Sequence, residues 1–256
     1  VAAIAAIAIS LTVAAHEGIH ALTCLGVGGD LQAYSALAVA CEERTVRQEK
    51  WVNGSAPFFN LLAGTLLWLI LRRDRQVSPD TWFFLWLLML MNLLYGAGYF
   101  MFSGIAGVGD IAVVIAGWEP AWLWRVLATL FGSALFLFCV WWALQVFGRR
   151  VGGRPKEQIR RANKMSLISY FSALGVILLA GLFNPLGMLS LPVMAGLLAV
   201  LGGLSPLLWM MHWFQAGIFP KQEGPPLEIH RRWGWVAVSL AVVLLYAVFL
   251  GRAVYF

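Results

Sequence analysis

Two imidazoles four residues apart, with a carboxylate beside the first, stand at His16, Glu17 and His20 in the stretch TVAAHEGIHALTC, Thr12 to Cys24. On a helix, positions i and i+4 share one face, one turn apart. Two imidazoles at that spacing bind one zinc ion, and the neighbouring glutamate can act as general base toward water that the ion activates. The bland alternative is a hydrogen-bonded histidine pair in a polar helix end. Short motifs of this kind arise by accident in soluble chains, but this one follows the apolar run VAAIAAIAIS. Ionisable groups inside a bilayer are costly and mark functional sites.

A catalytic zinc takes three protein ligands and keeps one position open, so a third ligand must come from elsewhere. His230 lies in IFPKQEGPPLEIHRR, Pro-rich and basic, and reads as a solvated surface group. His212, in LLWMMHWFQ, reads as a residue lining or hydrogen-bonding within a bundle. Asp110, in FSGIAGVGDIAVVIAG, follows a Gly-rich break and precedes an apolar run. It suits the third ligand position, and it also suits a helix N-cap; the two roles are compatible.

The elements that must position these groups are apolar. Of the 256 residues, 61% are hydrophobic and 12% charged, against roughly a quarter charged in soluble domains; the mean hydropathy is +0.80. The composition implies an integral, multi-pass membrane protein. Its expected fold is all-α: a polytopic bundle of about six to seven transmembrane helices. Candidate spans are 1–23, 57–71, 82–103, 121–147, 165–186, 190–217 and 233–251. The first opens within an apolar segment and does not read as a cleaved signal peptide. Between the first two spans, the 24–56 loop carries GVGGDLQAYSALAV, whose Gly turns and β-capable residues suit a short β-hairpin at the membrane surface. No repeat or low-complexity tract is visible.

The net charge of +6 is not a nucleic-acid signal, because the cations cluster in short loops. Loops 72–80, 146–164 and 218–232 hold Arg72, Arg73, Arg75, Arg149, Arg150, Arg154, Lys156, Arg160, Arg161, Lys164, Lys221, Arg231 and Arg232, thirteen of the 18 Lys and Arg. The opposite face has Arg44, Arg47, Lys50, Arg125 and Arg252. The positive-inside rule then puts the N-terminus inside and loop 24–56 outside. Cys24 and Cys41 bracket that loop; a disulfide and two free thiols both fit their spacing. Cys139 falls within a span and reads as packing.

The chain resembles the site-2 protease family of intramembrane zinc metalloproteases over about residues 1–118. HEGIH lies in the first span. SAPFFNLLAG, Ser55 to Gly64, is similar to the family's Gly-Pro-x-x-Asn segment, with Ala56 for the glycine. MNLLYGAGYFMFSGIAGVGDIAVV resembles the Asn-Leu-Leu-Pro stretch followed by Leu-Asp-Gly, with Asn92-Leu93-Leu94 matching, Tyr95 for the proline and Val108-Gly109-Asp110-Ile111 for Leu-Asp-Gly. The gap from Asn92 to Asp110 is longer than the family pattern, so the likeness is to a divergent branch.

The resemblance implies a metalloprotease-like transmembrane core at 1–118, followed by additional transmembrane helices at 119–256 that include the basic loop 146–164. It implies one catalytic zinc held by His16, His20 and Asp110, with Glu17 activating water. Asn60 would contact the substrate backbone or a developing oxyanion; an interhelical hydrogen bond is the structural alternative. Asn92 has the same two readings, with the structural one favoured. Pro57 would set a helix start. The substrate would be a transmembrane protein within the lipid bilayer, with its unwound segment paired to the loop 24–56 strand. From another class, a metal-ion or proton-coupled transporter would use the same His, Glu and Asp groups as a path. A catalytically inactive relative that binds membrane partners would not need Glu17.

Overall fold

The computed structural model describes residues 1–73, 77–152, 155–216 and 225–256. Arg75, Arg154 and Lys221, counted above among the inner-face cations, lie outside the described residues, as do positions 218–224 of the Pro-rich loop. In chain order come α1 (Ala2–Gly26), β1 (Asp30–Tyr34), β2 (Val39–Glu42), α2 (Val46–Arg73), α3 (Pro79–Ala106), α4 (Asp110–Ile115), α5 (Ala121–Val151) and α6 (Pro155–Leu182). Then follow α7 (Leu191–Leu198), which runs into a π turn, α8 (Pro206–Gln215), α9 (Trp233–Val243), whose end widens into a π turn and then tightens into a 3₁₀ turn, and β3 (Val254–Tyr255). Among the described residues, seven stretches are long and apolar enough to cross a membrane. The architecture is the expected all-α polytopic bundle, and the expected hairpin is present.

Several helices outrun the apolar segments that announce them. α2 begins at Val46, and Pro57 lies in its interior instead of starting it. The reason is that hydropathy reads the part of a helix that sits in lipid. The first turns of α2 carry Arg47, Gln48, Glu49 and Lys50, which belong in water yet are good helix formers. Its 28 residues reach ~42 Å at ~1.5 Å each, against a hydrocarbon core of ~30 Å. For the same reason α5 and α6 extend into the basic 146–164 loop, up to Val151 and from Pro155. Conversely, 165–186 stops early. The helix ends at Leu182, and Asn184-Pro185-Leu186-Gly187 forms a turn in which the Leu186 amide donates to the Asn184 side chain. The 190–217 span is broken by a π turn over Ala199–Gly203, just before Pro206, whose missing N–H cannot continue the ladder.

α1 is the centre of the bundle, packed against α2, α3, α6 and α9. Ile4, Ala5, Ala8, Ile9, Thr12 and Val13 are buried along it, and His16, His20 and Cys24 continue the stripe. Lipid tails are as apolar as these side chains, so helix association depends on close packing at small residues. A Cβ at Gly64 would lie 2.6 Å from Leu93, and one at Gly96 would lie 2.7 Å from the Pro57 carbonyl. At Gly132 it would overlap the backbone of Phe100 and Met101. These contacts draw α2 and α5 onto α3, whose buried Phe83, Trp86, Leu87 and Leu90 fill the space beneath.

At the predicted inner end, Arg232 Nε sits 2.7 Å from the buried Asp80 carboxylate at the start of α3, and the Leu227 amide donates to the Val151 carbonyl. At the other end lies a small antiparallel sheet of order β2-β1-β3. Tyr34 pairs with Val39 on one side and Val254 on the other, with a bulge between Leu31 and Ala33. β3 was not foreseen from sequence. Tyr34 Oη donates to the Ala14 carbonyl of α1, and Tyr246 Oη donates to the Ala36 carbonyl, so the sheet is fastened to the bundle. Cys24 and Cys41 form a disulfide, joining the end of α1 to β2. A disulfide belongs to an oxidising compartment.

Two outcomes are expected. Maleimide labelling of the denatured, unreduced protein should modify Cys139 alone, and all three cysteines only after reduction. Gly132→Leu should destabilise the α3–α5 contact by about 1–3 kcal/mol or more, read as a lowered thermal midpoint in detergent.

Candidate metal centre

His16 and His20 project from consecutive turns of α1 on its buried face, and their Nε2 atoms lie 3.3 Å apart. Asp110, the first residue of α4, brings Oδ2 to 3.2 Å from His16 Nε2 and 3.4 Å from His20 Nε2. The N-cap position of α4 is held by Gly109, not Asp110; the carboxylate is turned onto the histidines. Gly109 has φ +93°, a conformation nearly closed to other residues. Glycine there lets the chain turn from α3 back toward α1.

The protonation of both imidazoles follows from their other nitrogens. His20 Nδ1 lies 2.7 Å from the Val52 carbonyl, which can only accept, so Nδ1 donates. His16 Nδ1 lies 2.6 Å from Asn60 Oδ1, and the orientation of that amide is set by a chain of bonds. The Leu88 carbonyl accepts from Asn92 Nδ2 at 2.8 Å. Asn92 Oδ1 therefore faces Asn60 and accepts from its Nδ2 at 2.9 Å. Asn60 Oδ1 is left to accept from His16. Each imidazole in its neutral form thus keeps a lone pair on Nε2, and both Nε2 atoms converge on Asp110 Oδ2, a carboxylate oxygen with almost no solvent contact.

Three such atoms at 3.2–3.4 Å from one another repel unless a proton or a metal cation lies among them. Tetrahedral coordination at ~2.0–2.1 Å per bond puts neighbouring ligand atoms ~3.3–3.4 Å apart. The cluster can therefore hold a metal ion, with two nitrogen ligands and one oxygen. The Nδ1–H bonds to Asn60 and Val52 fix ring orientation, the usual task of groups behind a histidine ligand.

Glu17 and its neighbours border a cavity of about 570 Å³ into which His20 and Asp110 also face. Its far walls are apolar: Met101, Phe102 and Ile105 of α3, Met194 and Leu198 of α7, and Val39 of β2. Tyr99 stacks on the His16 ring with centroids 4.7 Å apart, closing one flank of the site. At the rim, partial burial raises the Glu43 carboxyl above its ordinary range; its own amide opposes this, and the charge of Glu49 adds a lesser upward push.

His16, Glu17, His20, Asn60 and Asp110 thus come together. Asn60 is fully buried, with its oxygen on His16 and its nitrogen on Asn92, the interhelical arrangement of the two read from sequence. His212 is exposed on α8. His230 is also exposed, its nearest carboxylate Glu228 at 3.6 Å. Sequence reasoning missed Thr12, which accepts from Asn92, although it stands one turn before His16 on the same face. It had no means of finding the Val52 carbonyl. No protein-family model, curated protein or solved structure matches the chain.

If the amide chain sets the His16 tautomer, Asn60→Leu and Asn92→Leu should each weaken metal binding, by about 10–100-fold. Titration with Zn²⁺ or Co²⁺ in detergent reads this, and Asn60→Leu should have the larger effect.

Proposed function

We propose that this chain is an intramembrane zinc metalloprotease that hydrolyses peptide bonds of membrane-embedded protein substrates. The observation that carries the reading is Glu17, buried next to His16 in the chain and bordering the same apolar cavity as the ligands His20 and Asp110. The likeness of its motifs to the site-2 protease family points the same way. A zinc ion held there supplies Lewis-acid polarisation of the scissile carbonyl and lowers the pKa of water.

The chain's own groups carry the proton. Glu17 accepts a proton from water as the water oxygen bonds to the carbonyl carbon. It returns that proton to the amide nitrogen as the carbon–nitrogen bond breaks, leaving a carboxylic acid and an amine. The apolar walls suit a hydrophobic segment and limit competing water. β2 lies at the edge of the sheet, and Val39, Ala40 and Cys41 border the cavity. An extended substrate can add to that edge by main-chain hydrogen bonds, which requires its helix to unwind first.

A transporter would need polar groups leading onward from the cluster. Below His16 and Thr12, α1 buries Ile4, Ala5, Ala8 and Ile9 against the large apolar side chains of α3. That packing favours a site entered and left from the cavity side over a conduit.

Glu17→Gln should lower cleavage of a reconstituted transmembrane substrate by about 10²–10⁴-fold while metal content stays unchanged. His16→Ala and Asp110→Ala should each lose activity and bind metal much more weakly, with only residual binding by the two remaining ligands at high metal concentration. Cleavage that survives in Glu17→Gln would sink the protease reading, as would a wild-type protein that takes up no zinc.

A further inference from the structure

α4 carries a ligand but has little means of holding itself in place. It is six residues long, DIAVVI, with Ile111 alone buried. A single isolated turn or two is unstable in water or at an interface. It packs against α2, α3 and α5, and both the chain entering it and the chain leaving it are held as well.

Two cations on the face expected to be poor in them do this. Arg125, near the start of α5, donates from Nε to the Gly104 carbonyl at 3.2 Å and from its terminal nitrogen to the Ile105 carbonyl at 2.8 Å. These carbonyls belong to the last turn of α3, where helical partners run out. The chain leaves that turn through Gly107 at φ +70°. Gly107 lies directly on the guanidinium: a Cβ there would be 3.1 Å from it. A cation at a helix C-terminus also meets the negative end of the helix dipole. The turn so held runs straight into Asp110.

At the other end, Lys50 of α2 donates to the Ala116 carbonyl at 2.6 Å, just past the last residue of α4. Its ammonium also lies over the Trp118 ring, 5.3 Å from the centroid, and Trp118 meets Trp124 of α5 edge to face. Gly54 of α2 lets the helices close, since a Cβ there would reach within 3.1 Å of Val114.

We infer that Arg125 and Lys50 are positioning residues for the metal site, Arg125 holding the end of α3 that leads into α4 and Lys50 the residue just past α4, so that Asp110 meets His16 and His20. The inference rests on the metal-centre reading and deepens it: α5, outside the segment that resembles a protease, sets the geometry of the third ligand. Neither cation touches the metal ligands; both act through backbone carbonyls.

The test is Co²⁺ titration of the detergent-purified full chain, read by visible absorption, with thermal unfolding of the metal-free protein alongside. Arg125→Met and Lys50→Met should each weaken Co²⁺ binding about 10–100-fold with the metal-free thermal midpoint little changed. Arg125→Lys should recover part of the loss. In an Asp110→Ala background, neither substitution should weaken binding further, because the ligand it positions is gone. If Arg125→Met does not fold, Lys50→Met carries the same comparison. Wild-type affinity in both single variants would overturn the inference and leave the metal centre intact. So would an equal loss with and without Asp110, which would mark a general effect on the fold. A wild type that binds no Co²⁺ would overturn the metal centre and this inference with it.

Discussion

The structure turns on three potential ligand atoms that share one small buried volume. Two imidazole nitrogens and a carboxylate oxygen lie at 3.2–3.4 Å from one another in a buried setting. Such an arrangement is unfavourable without a compensating positive charge. Much of the surrounding architecture serves to impose it. α1 supplies two of the atoms on one stripe, the Gly-rich exit from α3 swings the third into place, and α2 provides the acceptors that commit both imidazoles to one tautomer.

Those acceptors differ in how they are themselves constrained. The Val52 carbonyl is fixed by the helix that contains it. The Asn60 amide can turn over, and it is held by Asn92, which in turn is held by the Leu88 carbonyl. A single backbone carbonyl of α3 thus decides, through two amides, which nitrogen of His16 faces the cluster. Hydrogen bonds of this kind contribute only ~1 kcal/mol each in membrane bundles. Their value here lies in direction more than in strength.

How much of this was legible in the sequence follows from range. HEGIH is local, so its face on α1 could be read from the four-residue spacing, and its apolar setting made it a site. Asp110 stood out because a carboxylate between a Gly-rich break and an apolar run needs a reason. The hairpin was readable from its turn residues and alternation. Helix ends were not, because α2 and α6 continue in water beyond the segment that hydropathy detects. Pro57 misled for the same reason. The Val52 carbonyl, the grip of Arg125 on α3 and the pairing of β3 with β1 are backbone contacts between distant segments, and no side-chain type announces them. Asn60 shows the intermediate case: its importance was visible, while the choice between partners depended on where Asn92 would lie.

The third strand has a consequence for how the molecule is built. β1 follows the first membrane helix, whereas β3 follows the last, and Tyr246 and Leu250 also anchor the segment just after β1. During synthesis β1 has one strand partner until the chain has been made through α9. The sheet is therefore completed by a late event, long after the histidines have been made. A partly made chain would already carry all three ligands while β1 still lacked its second partner, so the order of translation itself separates the assembly of the ligand cluster from that of the sheet beside it.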